Sequence, residues 1–293
     1  MKLYTINTEF FKLDGGAMFG VVPKSIWSKF HPADEKNLCN WAMRCLLIEE
    51  GNKLILIDNG IGNKMDPKLL SFYYLNGEDT LDSSLNKLGF GKDDITDVVL
   101  THLHFDHCGG SIVREGDKLL PAFKNAIYWS NENHWQWATH PNDREKASFF
   151  KENILPIKEG GQLQFISAGS NNSSLDENGL LKKVQSFIIP QLSFRIVNGH
   201  TNAMMLPQIE HNGSTLVFVA DLLPSVAHIP VNYVTGYDVF PLTTMEEKKS
   251  FLKESVANNY TLFFEHDPFY ECCTLQTTEK GIRQKDTFKL IER

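Results

Sequence analysis

The sequence has little cysteine, and the few cysteines are poorly arranged for a disulfide framework. There are five among 293 residues, an odd number, and Cys272 and Cys273 are adjacent. Small secreted scaffolds need well-spaced pairs, so this pattern excludes that class. Cys108 directly follows His107, and we interpret it as a small buried residue rather than as a metal ligand.

The chain also lacks long apolar runs and a basic leader. No stretch is long and apolar enough to cross a membrane. Residues Met1–Thr8 show no basic region followed by an apolar one, which a secretion signal would need. We therefore expect a cytoplasmic protein with no membrane partner.

Positive charge is scarce as well. The chain has 29 Lys and Arg against 36 Asp and Glu, a formal net charge of −7. Proteins that bind nucleic acids usually carry a basic stripe, so we expect no nucleic-acid partner. Apolar residues, by contrast, make up 42% of the sequence and include 20 phenylalanines, which is enough for a large core.

The most informative segment places four good metal ligands within six residues. His102, His104, Asp106 and His107 directly follow the apolar run Val98–Leu100, which predicts a buried strand. Imidazole and carboxylate groups suit zinc and similar ions, and a loop at the end of a strand lets such side chains converge. A single histidine is usually structural, but this spacing favours a metal site.

The segment resembles the HxHxDH signature of the metallo-β-lactamase superfamily. Further parts of the family pattern follow in order along the chain, and each comes after an apolar run or in a Gly-His-Thr setting. They are Asp58 after Leu54–Ile57, His200 within Gly199–Thr201, Asp221 after Leu216–Ala220, and His266 after Leu262–Glu265.

This resemblance implies two divalent metal ions, with zinc the expected metal. His102, His104 and His200 would hold the first ion, and Asp106, His107 and His266 the second, with Asp221 bridging them. Two such ions, about 3.5–4 Å apart, supply a hydroxide at neutral pH. Asp106 would also act as a catalytic residue that passes a proton to the leaving group. For Asp58, metal contact and a supporting role remain equally open.

The resemblance implies an α/β fold, the αββα sandwich of two β-sheets flanked by helices. We expect a single domain over residues 1–293, with similar halves at about 1–165 and 185–293. Local patterns predict helices near 67–74, 81–88, 131–154 and 244–258, the last capped by Thr243 or Thr244. They also predict strands around Phe187, Ala203, Leu216 and Leu262, and an exposed connection over 169–174.

The family branch that the chain resembles most is that of the acyl-homoserine lactonases and organophosphate hydrolases. Phe19, Trp27, Phe30 and Trp41 could form an apolar wall over the metals. No cation follows His200 up to Gln208 to hold the carboxylate of a β-lactam. We therefore predict hydrolysis of an apolar lactone or ester. Phosphotriesterase or β-lactamase activity, an iron-dependent redox role and a non-catalytic binding role are the alternatives.

One departure from this branch concerns the residue that contacts the substrate. Acyl-homoserine lactonases often have a tyrosine shortly after the bridging aspartate, whereas here Asp221-Leu222-Leu223 is followed by Pro224. His228 or Tyr233 is the candidate to bond the substrate carbonyl, with His228 as a second catalytic residue. The apolar N-terminal residues are also compatible with a homodimer.

Overall fold

The computed structural model describes residues 1–167 and 173–290. Contacts divide the chain into two compact units, Met1–Glu9 with Met43–Ala168, and Phe10–Ala42 with Gly169–Arg293. Residues 10–42, which we expected in the first half, thus belong to the second unit. The expectation of a single domain stays a prediction. Part of the predicted 169–174 connection lies outside the described residues.

Fifteen strands and eight α-helices lie within the described residues. The strands are β1 Lys2–Asp14, β2 Leu38–Glu50, β3 Lys53–Ile57, β4 Asp97–Val99, β5 Ile112–Glu115, β6 Lys118–Pro121, β7 Ile127–Asn131, β8 Leu163–Ile166, β9 Lys183–Gln185, β10 Leu192–Val197, β11 Met204–His211, β12 Ser214–Phe218, β13 Thr261–Phe263, β14 Cys272–Thr278 and β15 Gly281–Phe288. The helices are α1 Gly15–Phe19, α2 Lys24–Trp27, α3 Pro67–Leu70, α4 Leu81–Lys87, α5 Phe105–Cys108, α6 Glu132–Thr139, α7 Lys151–Glu159 and α8 Pro241–Ala257.

The sheet built mainly from the first unit has the strand order β1-β2-β3-β4-β7-β8. Strands β3, β4, β7 and β8 run parallel, with Ile57 opposite Val99 and Val99 opposite Trp129. Parallel strands place their carboxyl ends at one edge of a sheet, where ligands bind in open α/β sheets. Residues that follow β3, β4 and β7 are therefore neighbours at this edge.

The sheet of the second unit has the order β15-β14-β13-β12-β11-β10-β9. Strands β12 and β13 are parallel, with Phe218 opposite Phe263, whereas the other pairs are antiparallel. Asp221 and His266 each lie three residues beyond this matched pair. The register alone therefore brings these two side chains to the same edge.

Both of these sheets are mixed, and helices lie between several of their strands along the chain, so the predicted α/β class is confirmed. The core of the first unit contains fully buried residues from the parallel strands, such as Leu56, Val98 and Tyr128. Across the described residues, no helix has both the length and the apolar character to span a membrane. The cytoplasmic location stays a prediction.

Three local predictions were wrong. The helix predicted over 131–154 is two helices, α6 and α7, because the segment between them contains Pro141, which removes a backbone donor. Helix α8 begins at Pro241 rather than after Thr243 or Thr244, with Phe240 as its N-cap residue. Pro241 suits this first position, since the amide that it lacks would have no helical partner there. Phe187 lies outside β9 and β10 and is 82% exposed.

Candidate metal centre

The first group of predicted ligands lies on the loop and short helix after β4. We call His102, His104, Asp106 and His107 the first-unit cluster. All four residues are buried, and Asp106, the most exposed of them, is 9% exposed. Nε2 of His102 lies 3.1 Å from Nδ1 of His104. Nε2 of His107 lies 3.8 Å from a carboxylate oxygen of Asp106. These nitrogens and oxygens face one another, as ligands of a shared ion would.

Asp58 holds two of these histidines in place. Its carboxylate accepts hydrogen bonds from the backbone N–H of Thr101, at 2.8 Å, and from the Thr101 hydroxyl, at 2.6 Å. Nδ1 of His107 lies 3.1 Å from the same carboxylate. Because the Thr101 hydroxyl donates to Asp58, its oxygen is available to accept from Nδ1 of His102, also 3.1 Å away. These contacts favour a supporting role for Asp58.

The backbone at Asp58 is itself unusual. Its φ of +55° lies in the left-handed region, which is uncommon for a residue other than glycine. The backbone N–H of Asp58 donates to Val99, and the next residue, Asn59, donates to His107. The turn after β3 is thus hydrogen-bonded both to the strand before the first-unit cluster and to its last residue, His107. These hydrogen bonds compensate for the strained conformation.

Two further residues support the ligand loop and escaped the sequence-based prediction. Nε2 of His134 accepts a hydrogen bond from the backbone N–H of Leu103 at 2.8 Å. A carboxylate oxygen of Glu145 lies 3.4 Å from Nε2 of His104. Nothing in the spacing of either residue indicates these contacts, because both arise from packing between distant segments.

Close backbone packing explains the glycine after Cys108. A Cβ atom on Gly109 would lie 2.0 Å from the carbonyl oxygen of Ile61, so only glycine fits there. Cys108 is buried and its thiol donates to the carbonyl of Leu103 at 3.3 Å. Burial raises the pKa of this thiol to about 12, which suits an inert packing residue.

The second group of predicted ligands comes together in the second unit. We call His200, Asp221 and His266 the second-unit cluster. The two carboxylate oxygens of Asp221 lie 3.1 Å from Nε2 of His200 and 3.1 Å from Nε2 of His266, one oxygen for each histidine. A carboxylate that presents a different oxygen to each of two ligands has the form that a bridge between two ions requires.

Each histidine of the second-unit cluster is oriented through its other ring nitrogen. Nδ1 of His266 lies 2.8 Å from the carbonyl of Ala42, which can only accept, so this nitrogen carries the proton. Nδ1 of His200 lies 2.9 Å from a carboxylate oxygen of Asp238. In both rings the Nε2 lone pair is left for a metal, the usual arrangement of a metal-binding histidine.

The Gly-His-Thr segment is held by helix α8. The carboxylate of Glu247 accepts from the backbone N–H groups of Asn198, at 2.7 Å, and of Gly199, at 3.0 Å. A Cβ atom on Gly199 would lie 2.3 Å from the backbone nitrogen of Thr244, so glycine is required where the helix approaches. Burial raises the pKa of Glu247 to about 6.

Asp238 is the clearest candidate site residue that the sequence did not reveal. It is buried, accepts a hydrogen bond from the Thr235 hydroxyl at 2.9 Å, and faces Nδ1 of His200 with the same oxygen. We expect Asp238→Ala to weaken metal binding about 10- to 100-fold, because partners that orient a ligand typically contribute this much. Metal titration monitored by calorimetry, with Asp238→Asn beside it, measures the effect. Wild-type affinity in both variants would contradict it.

His228 is fully buried, and both of its ring nitrogens already have partners. Nδ1 lies 2.8 Å from the Ser225 hydroxyl, and Nε2 lies 2.8 Å from the carbonyl of Met18. Burial lowers the pKa of this histidine to about 3, so the ring is neutral. For His228 to bond a substrate carbonyl, the substrate would have to replace one of these partners. Tyr233, the other candidate, is partly exposed.

Two of the four predicted aromatic residues of the N-terminal segment, Phe19 and Trp41, pack against His228. Phe19 stacks on the His228 ring with centroids 4.6 Å apart, and on Trp27 with centroids 5.4 Å apart. Trp41 is also buried, whereas Phe30 is 50% exposed. Three of the four aromatic residues thus form buried packing within the second unit. Trp41 directly precedes Ala42, whose carbonyl orients His266.

Comparison with known proteins identifies a family. The model of the metallo-beta-lactamase superfamily matches residues 44–266. An N-acyl homoserine lactonase, AiiA from Bacillus thuringiensis subsp. kurstaki, is 28% identical over 142 residues. That match covers 45% of this chain and 50% of the relative, so the chain spans about half the length of the curated protein.

Solved structures extend the similarity over nearly the whole chain. A probable metal-dependent hydrolase from Staphylococcus aureus is 27% identical with a TM-score of 0.84, over 98% of this chain and 96% of that one. AidC, a dizinc quorum-quenching lactonase in complex with its product, is 20% identical with a TM-score of 0.73, over 98% and 95% of the two chains. The likeness to AidC concerns the fold alone.

Proposed function

The chain belongs to the metallo-beta-lactamase superfamily, and from this premise we propose that it is a binuclear metal-dependent hydrolase that opens acylated lactones. The observation that carries the proposal is the orientation of the ligand histidines. In both clusters one ring nitrogen is held by the protein, while the other faces a second ligand. A partner on one ring nitrogen fixes the tautomer and directs the other nitrogen towards the position of an ion.

We assign the ligands as the order of motifs implies. His102, His104 and His200 would hold one ion, Asp106, His107 and His266 the other, and Asp221 both. The geometry around Asp221 in the second-unit cluster supports the bridging role. The donors are imidazole and carboxylate groups, a set that suits zinc. AidC, with a similar fold, is described as a dizinc enzyme.

The bound ions would supply a hydroxide near neutral pH and polarise the carbonyl that it attacks. The side chains of the protein provide the rest. Asp58 and Asp238 hold His107 and His200 in single orientations, which keeps the ligand positions fixed during the reaction. Asp106 reaches the surface slightly, being 9% exposed. It is the group that we expect to pass a proton to the alkoxide released when the ring opens.

The proposed substrate is a small apolar lactone. The curated relatives that match are named N-acyl homoserine lactonases. The acyl chain of such a lactone would pack on apolar surface at the site, although Phe11 and Phe19 are themselves completely buried and do not provide that surface. Each methylene buried there would add about 0.8 kcal/mol to binding. No nucleic-acid partner is proposed, and a homodimer stays a prediction.

A substrate panel tests this proposal. We expect kcat/KM to rise with acyl chain length in a series of acylated lactones, with phosphotriester cleavage weaker and β-lactam hydrolysis weaker still. The measurement requires the same metal loading for every substrate. Efficient phosphotriester cleavage with negligible lactone opening would move the protein to the organophosphate hydrolases. Strong β-lactam turnover would show that the missing cation after His200 does not exclude these substrates.

A further inference from the structure

A cavity lies in the second unit, and its lining residues differ from those assigned to metal binding. Its volume is about 390 Å³, which falls within the range of small-molecule sites. Three segments form its walls: the 229–232 loop, one face of helix α8 with Lys249 and Leu252, and the turn between β14 and β15 with residues 280–283. None of the predicted ligands lines it.

The floor of this cavity is apolar. Ile229 is completely buried and Leu252 is 1% exposed, and both line the cavity together with Val231 and Ile282. An apolar floor of this kind favours a ligand with a hydrocarbon portion, because burying that portion removes apolar surface from water.

The rim is positively charged, although the chain as a whole carries a net charge of −7. Lys249, Lys280 and Arg283 line the cavity, and no acidic residue of the described chain is among the lining residues. Lys249 forms an ion pair with Glu246 at 2.7 Å. Over residues 1–167 and 173–290 no ion pair is found for Lys280 or Arg283. Nη1 of Arg283 donates to the carbonyl of Ile282 at 2.6 Å, so the other N–H groups of this guanidinium, together with Lys280, remain available for an anion.

The walls are fixed by hydrogen bonds within the protein. Lys248, which is completely buried, donates to the carbonyls of Pro230, at 3.0 Å, and Tyr233, at 2.7 Å, and so fastens the loop to α8. The β14–β15 turn is closed by Thr278, whose hydroxyl donates to the Gly281 carbonyl at 2.7 Å and accepts from the Lys280 N–H at 3.2 Å. Because these walls are already ordered, less conformational entropy of the protein is lost when a ligand binds.

We propose that this cavity is a second binding site, which takes a small amphipathic anion: a carboxylate or phosphate head on a short aliphatic chain. The head lies at Lys280 and Arg283, where the planar guanidinium can donate two parallel hydrogen bonds to two oxygens of the head. The aliphatic chain lies on Ile229, Leu252 and Ile282. The site is separate from the proposed hydrolytic centre and does not depend on its activity.

The test uses the metal-loaded protein and three probes with the same chain, namely octanoate, octyl phosphate and neutral octanol. We expect the two anions to bind in calorimetric titrations and to shift the methyl NMR signals of Ile229, Leu252 and Ile282, with octanol at least about tenfold weaker. The double variant Lys280→Ala/Arg283→Ala should lose roughly tenfold or more in anion affinity, the contribution of one or two charged hydrogen bonds. Lactone turnover should be unchanged in this variant.

A matched control removes the same amount of charge from two positions that do not line the cavity. Lys253 of α8 and Lys285 of β15 are exposed and do not line the cavity, so Lys253→Ala/Lys285→Ala should bind octanoate as the wild type does. The proposal is overturned if the three methyl signals do not move, if octanol binds equally well, or if both double variants lose affinity to the same extent. If only octyl phosphate binds, the carboxylate part of the proposal is wrong and the phosphate part stands.

Discussion

Asp221→Ala is expected to release both metal ions together and to lower kcat/KM for lactone opening by roughly 10³-fold or more. The reason is that one carboxylate presents separate oxygens to His200 and His266, each at 3.1 Å. Removing it takes a ligand from both proposed ions at once. A bound metal contributes several kcal/mol to the reaction, and each 1.36 kcal/mol corresponds to a factor of ten in rate.

Elemental analysis of the purified variant checks this result directly. Asp286→Ala is the matched control, since this aspartate lies in the same unit and its side chain is 56% exposed. It should keep the wild-type metal content and turnover. Loss of one ion from Asp221→Ala with the other fully retained would contradict a bridging role.

Asp106→Asn is expected to lower kcat by about 10²- to 10⁴-fold, the usual contribution of a group that transfers a proton. Asparagine keeps the shape of the side chain and one carbonyl oxygen, but it cannot accept and return a proton at neutral pH. The variant also loses a charged ligand, so metal content must be measured in the same sample. Assays with excess metal separate the loss of proton transfer from the loss of bound metal.

The activity that remains after both metal ions are restored decides the role of Asp106. If activity stays low after both ions are restored, the residue acts in proton transfer. Full recovery of kcat with excess metal would restrict Asp106 to metal binding. Asp143→Asn serves as a control in the same unit, because the Asp143 side chain is 98% exposed and should not affect either property.

The candidate ligands could be identified from the sequence because they follow apolar strands or glycine; their binding of metal stays a prediction. One apolar run ends at Leu100 and another at Ala220, and a candidate ligand lies within two residues of each. Parallel pairing of β3 with β4, and of β12 with β13, then brings strand ends to one edge. Local pattern and sheet geometry thus agree at these positions.

The residues that orient the ligands could not be predicted in the same way. Asp238 lies 38 positions from His200, and His134 lies 31 positions from Leu103. Their contacts depend on how loops and helices pack, and no local spacing encodes that. The same limit applies to His228, whose ring is occupied by Ser225 and by Met18, the latter 210 positions away.

Helix boundaries were uncertain where proline or a second helix intervened. The apolar spacing of Phe251 and Leu252 predicted α8 correctly, and both residues are buried. Its start was wrong because Pro241 can occupy the first helical turn without losing a hydrogen bond. Apolar periodicity therefore located the helix, whereas the capping residues alone did not locate its first residue.

Metal titration of the metal-free protein, with lactone opening followed at each step, tests the central claim most directly. The proposal predicts that activity rises with added zinc and reaches its maximum at two equivalents per chain, since seven ligands are too many for one tetrahedral ion. Activity that saturates at one equivalent, or no lactone opening at two equivalents bound, would contradict it.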